Sequence, residues 1–214
     1  KAIRRSNQHP SVYLNTAVMW DRYAGQYPLA RRYYERYLKV AGDHDAETVG
    51  HVEARLQLAI ALSLKSRLMS TSEVLKAGYG SEGRDLVRSV LEDDPGNAYA
   101  HGFLSVWNVE VVRKGGRLGA AWFGAGLGAA REHFEAALAS DPQNPALCWQ
   151  YARALAAQDY RKHYEEVFDA LRCSLETKAD TELDRVMQDR ARSFWAYARG
   201  HSRQEIEARA ADLL

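Results

Sequence analysis

The segment that decides the fold is DPGNA at residues 94–98, which recurs in a close variant, DPQNPA, at residues 141–146. Each copy follows an amphipathic run that ends in two apolar residues, Val90-Leu91 before the first and Ala137-Leu138 before the second. Because proline cannot continue a helix, each copy predicts that one helix ends there and that the next begins just after it. We therefore expect helices joined by short, repeated turns.

The composition also favours helices. The 214 residues include 33 Ala, the strongest helix former, but only 14 Val, 3 Ile and 5 Thr, the β-branched residues that favour strands. The five prolines stand where a helix is predicted to start or has just ended: Pro10, Pro28, Pro95, Pro142 and Pro145. The sequence therefore predicts an all-α protein.

Charge and hydropathy exclude several classes of protein. With 29 Lys and Arg against 28 Asp and Glu, the net charge is +1, whereas a dedicated nucleic-acid binder needs a field of one sign. No uncharged apolar stretch reaches the roughly 18 residues of a transmembrane helix, so we expect no transmembrane segment. The chain begins with Lys1 rather than Met. Because a removed signal peptide would not be visible in this sequence, both a cytoplasmic and a periplasmic location stay open.

The helical unit recurs along the chain. Phe134 and Phe168 occupy the same position in REHFEAAL at residues 131–138 and in YEEVFDAL at residues 164–171, 34 residues apart. The turn prolines Pro95 and Pro142 are 47 residues apart. The excess of this spacing over the 34 residues between the phenylalanines corresponds to a glycine-rich insert. A fixed period of this length is typical of a helical-repeat protein.

These residues resemble the tetratricopeptide repeat, a helix–turn–helix unit of about 34 residues. Ala30 with Tyr34, and Ala130 with Phe134, match the family's small residue followed four positions later by an aromatic residue. Gly25 matches the turn glycine, and Pro95 and Pro142 match the closing proline. The resemblance covers residues 11–176, with inserts near 70–80 and 115–128. It implies a right-handed α–α superhelix, a solenoid of four to five helical hairpins.

The predicted organisation has three parts. Residues 1–10 form an N-terminal extension, residues 11–176 hold four helical pairs, and residues 177–214 hold capping helices. The predicted bounds are 11–24 with 28–40, 46–68 with 81–93, 97–113 with 127–140, 145–158 with 161–176, and caps at 181–199 and 202–213.

The resemblance implies a concave groove, lined by the first helix of each pair, that binds a protein or peptide. The groove candidates carried over from the family are Asn15, Met19, Arg22, Tyr23, Glu53, Tyr99, Glu110, Trp149 and Arg153. Their mixture of Arg, Asn, Tyr and Trp suits a peptide or a small polar ligand. The alternative is that several of these side chains only pack against the caps or the insert.

The insert at residues 115–128 holds six of the 15 glycines. It is not a phosphate-binding loop, because no strand is predicted before it and its glycines miss the required spacing. Small residues at every fourth position, from Gly116 to Gly128, predict a smooth helical face. Trp122 and Phe123 are expected to be core anchors, with a partner-facing patch as the alternative.

No catalytic or metal-binding pattern stands out. Asp43-His44-Asp45, with Glu47 and His51, matches neither zinc nor EF-hand spacing, so we expect helix-capping acids and no metal or other cofactor. The remaining histidines lie far apart in sequence: His9, His101, His133, His163 and His201. The string GYGSEG at residues 78–83 misses the nucleophile elbow, and Ser81 is expected to cap a helix that starts at Glu82.

The two cysteines are expected to stand at one level of a helical hairpin. Cys148 lies before the predicted turn near residues 159–160 by about as many residues as Cys173 lies after it. We expect buried free thiols there. The alternative is a disulfide, which would imply an oxidising compartment.

The function expected from this pattern is a non-enzymatic scaffold or adaptor that binds a protein or peptide partner in its groove. A second possibility is a periplasmic ligand-handling component, since the irregular inserts resemble those of the T component of tripartite (TRAP) transporters. A third is an enzyme with a dispersed active site, for which helical solenoids offer few dry pockets.

Overall fold

Most of the described helices start and end within three residues of the bounds that the sequence predicts. The computed structural model of the chain describes residues 48–67 and 69–213, with side chains from residue 52 onward. Regular structure in these residues is entirely α-helical, which confirms the all-α prediction. The helices are α1 Thr48–Arg67, α2 Thr71–Ala77, α3 Tyr79–Asp93, α4 Ala98–Phe123, α5 Leu127–Ser140, α6 Pro145–Asp159, α7 Tyr164–Glu176, α8 Glu182–Ala198 and α9 Arg203–Asp212.

The aspartates of the two repeated turns adopt nearly the same backbone conformation. Asp94 has φ −135° and ψ 81°, and Asp141 has φ −141° and ψ 80°. Each aspartate N–H donates to the carbonyl four residues earlier, over 2.8 and 2.9 Å, and so closes the preceding helix. Asn97 and Asn144 then accept, through Oδ1, from the N–H three residues ahead, over 2.9 and 3.3 Å. Each turn thus closes one helix and caps the next.

The chain divides into two compact units, with the boundary between Pro95 and Gly96. In the first unit α1 packs along α3. Arg55 on α1 donates to the backbone oxygen and to the Oγ of Ser89 on α3, each over 3.0 Å, and pairs with Asp93. These bonds join the two helices at their polar edge.

The second unit is built around α6. Eleven of its 15 residues are buried, and α4, α7, α8 and α9 all contact it. A helix that is surrounded in this way needs small side chains so that its neighbours can approach, and Ala152, Ala154, Ala156 and Ala157 supply them. The large side chains of α6 fill the gaps between helices, as Trp149 does against Phe194 of α8.

Capping motifs delimit the last two helices. Thr181 with Asp184 at the start of α8, and Ser202 with Glu205 at the start of α9, form reciprocal capping boxes. α9 then lies against α6, where Ile206 is buried. These helices start and end within one residue of the predicted caps.

Cys148 on α6 and Cys173 on α7 are joined by a disulfide, with their Cα atoms 5.9 Å apart. The prediction that they stand at one level of the hairpin is therefore correct. The expectation of free thiols is wrong, because the antiparallel packing of α6 and α7 brings the two Cα atoms into the range that a disulfide spans.

The structure corrects the predictions for the two inserts. The first contains the short helix α2, and α3 begins at Tyr79 after Gly78, so Ser81 lies inside the first turn rather than capping it. In the second insert α4 continues to Phe123, ten residues beyond the predicted end. The smooth helical face does not form, because Gly116 and Gly124 have φ 58° and 63°, which interrupt the helix and then end it.

Candidate functional site

The end of the α4–α5 hairpin carries the most exposed large apolar side chains of the described residues. Leu118 is 87% exposed and Trp122 is 85% exposed. The two residues follow the interruption at Gly116 and are four positions apart in a helical segment, so they are neighbours on one face. We call residues 117–124 the apolar tip.

The apolar tip is held at its base by α4. The ring of Phe123 packs edge to face on Trp107, with 6.3 Å between the ring centroids. Gly126 N–H donates to Asn108 Oδ1 over 3.0 Å, and Ala125 N–H donates to the Ala120 oxygen over 2.8 Å. Phe123 is half-buried and packs on Trp107. Trp122 is exposed, so the expectation that it is a core anchor is wrong.

The charge around the apolar tip has one predominant sign. Residues 111–130 contain no Asp or Glu, whereas Arg113, Lys114 and Arg117 lie just before or within the tip. Glu110 accepts from Arg113 over 2.7 Å and lies 3.8 Å from the Lys114 ammonium. Residues 110–130 of the sequence thus carry three cationic side chains and one carboxylate.

A second polar cluster joins three helices. Arg131 on α5 donates through two nitrogens to Glu166 on α7, over 2.9 and 3.0 Å, and the Tyr151 hydroxyl on α6 donates to the same carboxylate. Burial and the hydrogen bond to Glu166 raise the pKa of Tyr151. Burial alone would raise the pKa of Glu166, but the donors Arg131 and Tyr151 outweigh it and lower that pKa.

This cluster links three helices through one carboxylate. The Glu166 carboxylate already accepts three hydrogen bonds, and His163 lies 3.4 Å from its second oxygen. A Tyr hydroxyl with a raised pKa stays protonated at neutral pH, so it is a poor nucleophile or base. The geometry supports a bridge that connects α5, α6 and α7.

The predicted groove residues lie in different environments. Glu53 in the first unit and Tyr99 in the second are exposed, and Glu110 is engaged by the cations described above. Trp149 and Arg153 are fully buried. Trp149 packs on Phe194 of the capping helix α8, which corresponds to the alternative that some groove candidates only pack against the caps. Arg153 donates to Gln150 Oε1 over 3.2 and 3.0 Å. In this structure neither of these two side chains has surface with which to contact a ligand.

Several predictions concern residues outside the described part of the chain. They are the N-terminal extension 1–10, the first helical pair, the acidic segment at residues 43–47 and four groove candidates: Asn15, Met19, Arg22 and Tyr23.

Sequence reasoning missed Leu118 as the companion of Trp122. The available signal was two bulky apolar residues four positions apart in a segment otherwise composed of Gly, Ala and Arg. That spacing alone does not distinguish a buried face from an exposed one, because exposure depends on whether a neighbour covers it.

Neither metal clusters nor membrane spans are found in the described residues. No group of three or more His, Cys, Asp or Glu side chains is arranged there to hold a metal ion. None of the helices described is both long and apolar enough to cross a bilayer.

Comparison with known proteins finds no relative: no protein-family model matches the chain, and no curated protein or solved structure resembles it significantly. The resemblance to tetratricopeptide repeats therefore rests on the sequence pattern described above.

Proposed function

We propose that the protein is a non-enzymatic helical scaffold that binds a partner protein, and that the apolar tip is its main contact. The observation that supports this is the exposure of Leu118 and Trp122, side by side, on a segment whose base is packed and hydrogen-bonded. Exposed apolar patches on folded domains mark interaction sites, and Trp is enriched among the residues that dominate binding energy.

The charge at the apolar tip indicates the chemistry of the partner. Arg117 is adjacent to Leu118 in sequence, and Arg113 and Lys114 precede Leu118 by five and four residues. A complementary surface has an apolar pocket for Leu118 and Trp122 and a rim that carries Asp or Glu. Of the groove candidates, Tyr99 lies in the same unit as the apolar tip, and its exposed side chain is a candidate for an additional contact.

Site-specific photocrosslinking tests this proposal. A benzoylphenylalanine at position 122 should crosslink a partner protein in cells of the source organism. The same group at position 75 should not, although Leu75 on α2 is also exposed. The crosslinked protein is identified, purified and titrated with the wild-type chain and with Leu118→Ser/Trp122→Ser. Loss of two central apolar contacts should weaken binding by about 30-fold or more.

Three outcomes would overturn the proposal. One is an absence of crosslinks specific to position 122. Another is a purified partner that binds the double variant as tightly as it binds wild type. The third is tip-dependent flotation of the protein with anionic phospholipid vesicles in place of any protein crosslink, which would assign the tip to a lipid surface instead.

The Cys148–Cys173 disulfide favours a second candidate function, a periplasmic ligand-handling component that resembles the T component of TRAP transporters. Disulfides persist in oxidising compartments such as the bacterial periplasm. This candidate requires a defined oligomer by light scattering and an export signal in the full precursor, assayed with a reporter that is active only after export. A monomer whose precursor is not exported excludes it.

A further inference from the structure

Two histidines that are distant in sequence meet between α4 and α5. His101 and His133 lie 32 residues apart, yet their Nδ1 atoms are 2.9 Å apart and their ring centroids 5.2 Å apart. Both residues are half-buried, so part of the pair faces solvent. One Nδ1–H donates to the other Nδ1, which requires that at least one of the two rings be neutral.

The separation of the two nitrogens matches the bite of a late first-row metal ion. With metal–nitrogen bonds of about 2.0–2.1 Å, ligands at a right angle stand about 2.9 Å apart, and ligands at the tetrahedral angle about 3.4 Å apart. The observed 2.9 Å is the length of the hydrogen bond between the rings, and it equals the right-angle value. In the hydrogen bond the two nitrogens point at each other, so each ring must turn toward the ion for both nitrogens to bind it. Tetragonal coordination with nitrogen ligands at right angles is typical of Ni²⁺ and Cu²⁺, and imidazole suits both ions.

The surrounding helices hold the pair in place. His133 stands three residues after Ala130 and four before Ala137, both fully buried on the face of α5 that packs into the unit. His101 is followed three residues later by the buried Leu104 on α4. Because both backbones are fixed by helix packing, little chain entropy is lost when an ion bridges the rings.

We propose that His101 and His133 form a chelating site for a Ni²⁺- or Cu²⁺-type ion. The ion binds both Nδ1 atoms, and the ring that donated the hydrogen bond shifts its proton to Nε2, so that each Nδ1 offers its lone pair. The site is separate from the apolar tip and does not depend on the function proposed above.

Calorimetric titration of the tag-free chain with Ni²⁺ tests the site. Wild type should bind one ion that requires both rings. Either His101→Ala or His133→Asn should weaken that binding by roughly a hundredfold, because each variant removes one arm of the chelate. His201→Ala, at an exposed histidine before α9, should leave it unchanged.

Circular dichroism at 222 nm and the urea midpoint without metal establish that each variant is folded before titration. If one of His101→Ala and His133→Asn does not fold, the other is used to test the site. A Ni²⁺-dependent rise in melting temperature in wild type and His201→Ala, absent in both pair variants, provides the second readout. The proposal is overturned if wild type does not bind Ni²⁺, if both pair variants bind it as wild type does, or if only His201→Ala loses it.

Discussion

At the scale of the residue, Glu166 shows how one carboxylate connects three helices. It accepts from Arg131 of α5 and from Tyr151 of α6 while it belongs to α7. The ring of Phe134 also stacks on Tyr151, with the ring centroids 4.1 Å apart, so the polar bridge and the aromatic contact reinforce each other. Partly buried polar groups of this kind stabilise a fold only when their partners are present.

Replacing Glu166 by Gln should lower the free energy of unfolding by about 1–2 kcal/mol at pH 7, a value reduced for partial exposure. The folded pKa of Glu166 lies below its ordinary value of 4.5, so the carboxylate's contribution is complete above that value. The contribution is lost as the pH falls through the folded pKa.

The difference between wild type and Glu166→Gln, measured by urea unfolding, should therefore shrink between pH 7 and pH 3. Glu165→Gln, at the exposed neighbouring position, also removes a carboxylate from the first turn of α7 and should show a smaller difference, because Glu165 has neither the Arg131 nor the Tyr151 hydrogen bond. An equal loss in both variants, or a loss that is independent of pH, would contradict the role given to Glu166.

At the scale of the element, Gly116 decides the shape of the α4–α5 hairpin. Its φ of 58° and ψ of −156° belong to a region that essentially only glycine adopts, and they interrupt α4 before the apolar tip. Without this interruption the helix would continue in one direction, and Leu118 and Trp122 would lie on a different side of it.

Gly116→Ala should destabilise the chain by about 1–3 kcal/mol, the cost of a side chain in this backbone region. Gly119→Ala is the matched control, since Gly119 has no positive φ and a Cβ there meets the Val111 oxygen only at 4.0 Å. It should stabilise the segment by about 0.5–1 kcal/mol. If urea unfolding finds Gly116→Ala as stable as Gly119→Ala, the interruption at Gly116 does not exist in solution.

At the scale of the whole molecule, the second unit is organised by one buried helix and one covalent link. α6 contacts α4, α7, α8 and α9, and the disulfide fastens it to α7 across a sequence separation of 25 residues. A cross-link that closes a loop of this length restricts the unfolded chain more than the folded one.

Cys148→Ser/Cys173→Ser should lower the free energy of unfolding by about 2–4 kcal/mol. A phosphine reductant should lower the stability of wild type to a similar level and leave the double variant unchanged. The wild-type chain, denatured without reductant, should show no thiol that reacts with Ellman's reagent. Two reactive thiols would mean that the cysteines are free after all.

The helix bounds could be predicted from the sequence because the signals that end a helix are local. The DPGN and DPQN segments each place an aspartate and an asparagine where the chain must close one helix and cap the next, and both turns form the same closing and capping hydrogen bonds. The interruption at Gly116 was not predicted, because a glycine in a helical pattern is compatible with either a continuous or a broken helix.

What the sequence by itself determined is therefore the helical content, the position of the turns and the level at which Cys148 and Cys173 stand. Only the tertiary structure decided that those cysteines bond, that Trp149 and Arg153 are interior while Trp122 is exposed, and that His101 meets His133. The physical reason is that helix ends depend on neighbours a few residues away, whereas burial and side-chain pairing depend on which distant helices cover each face.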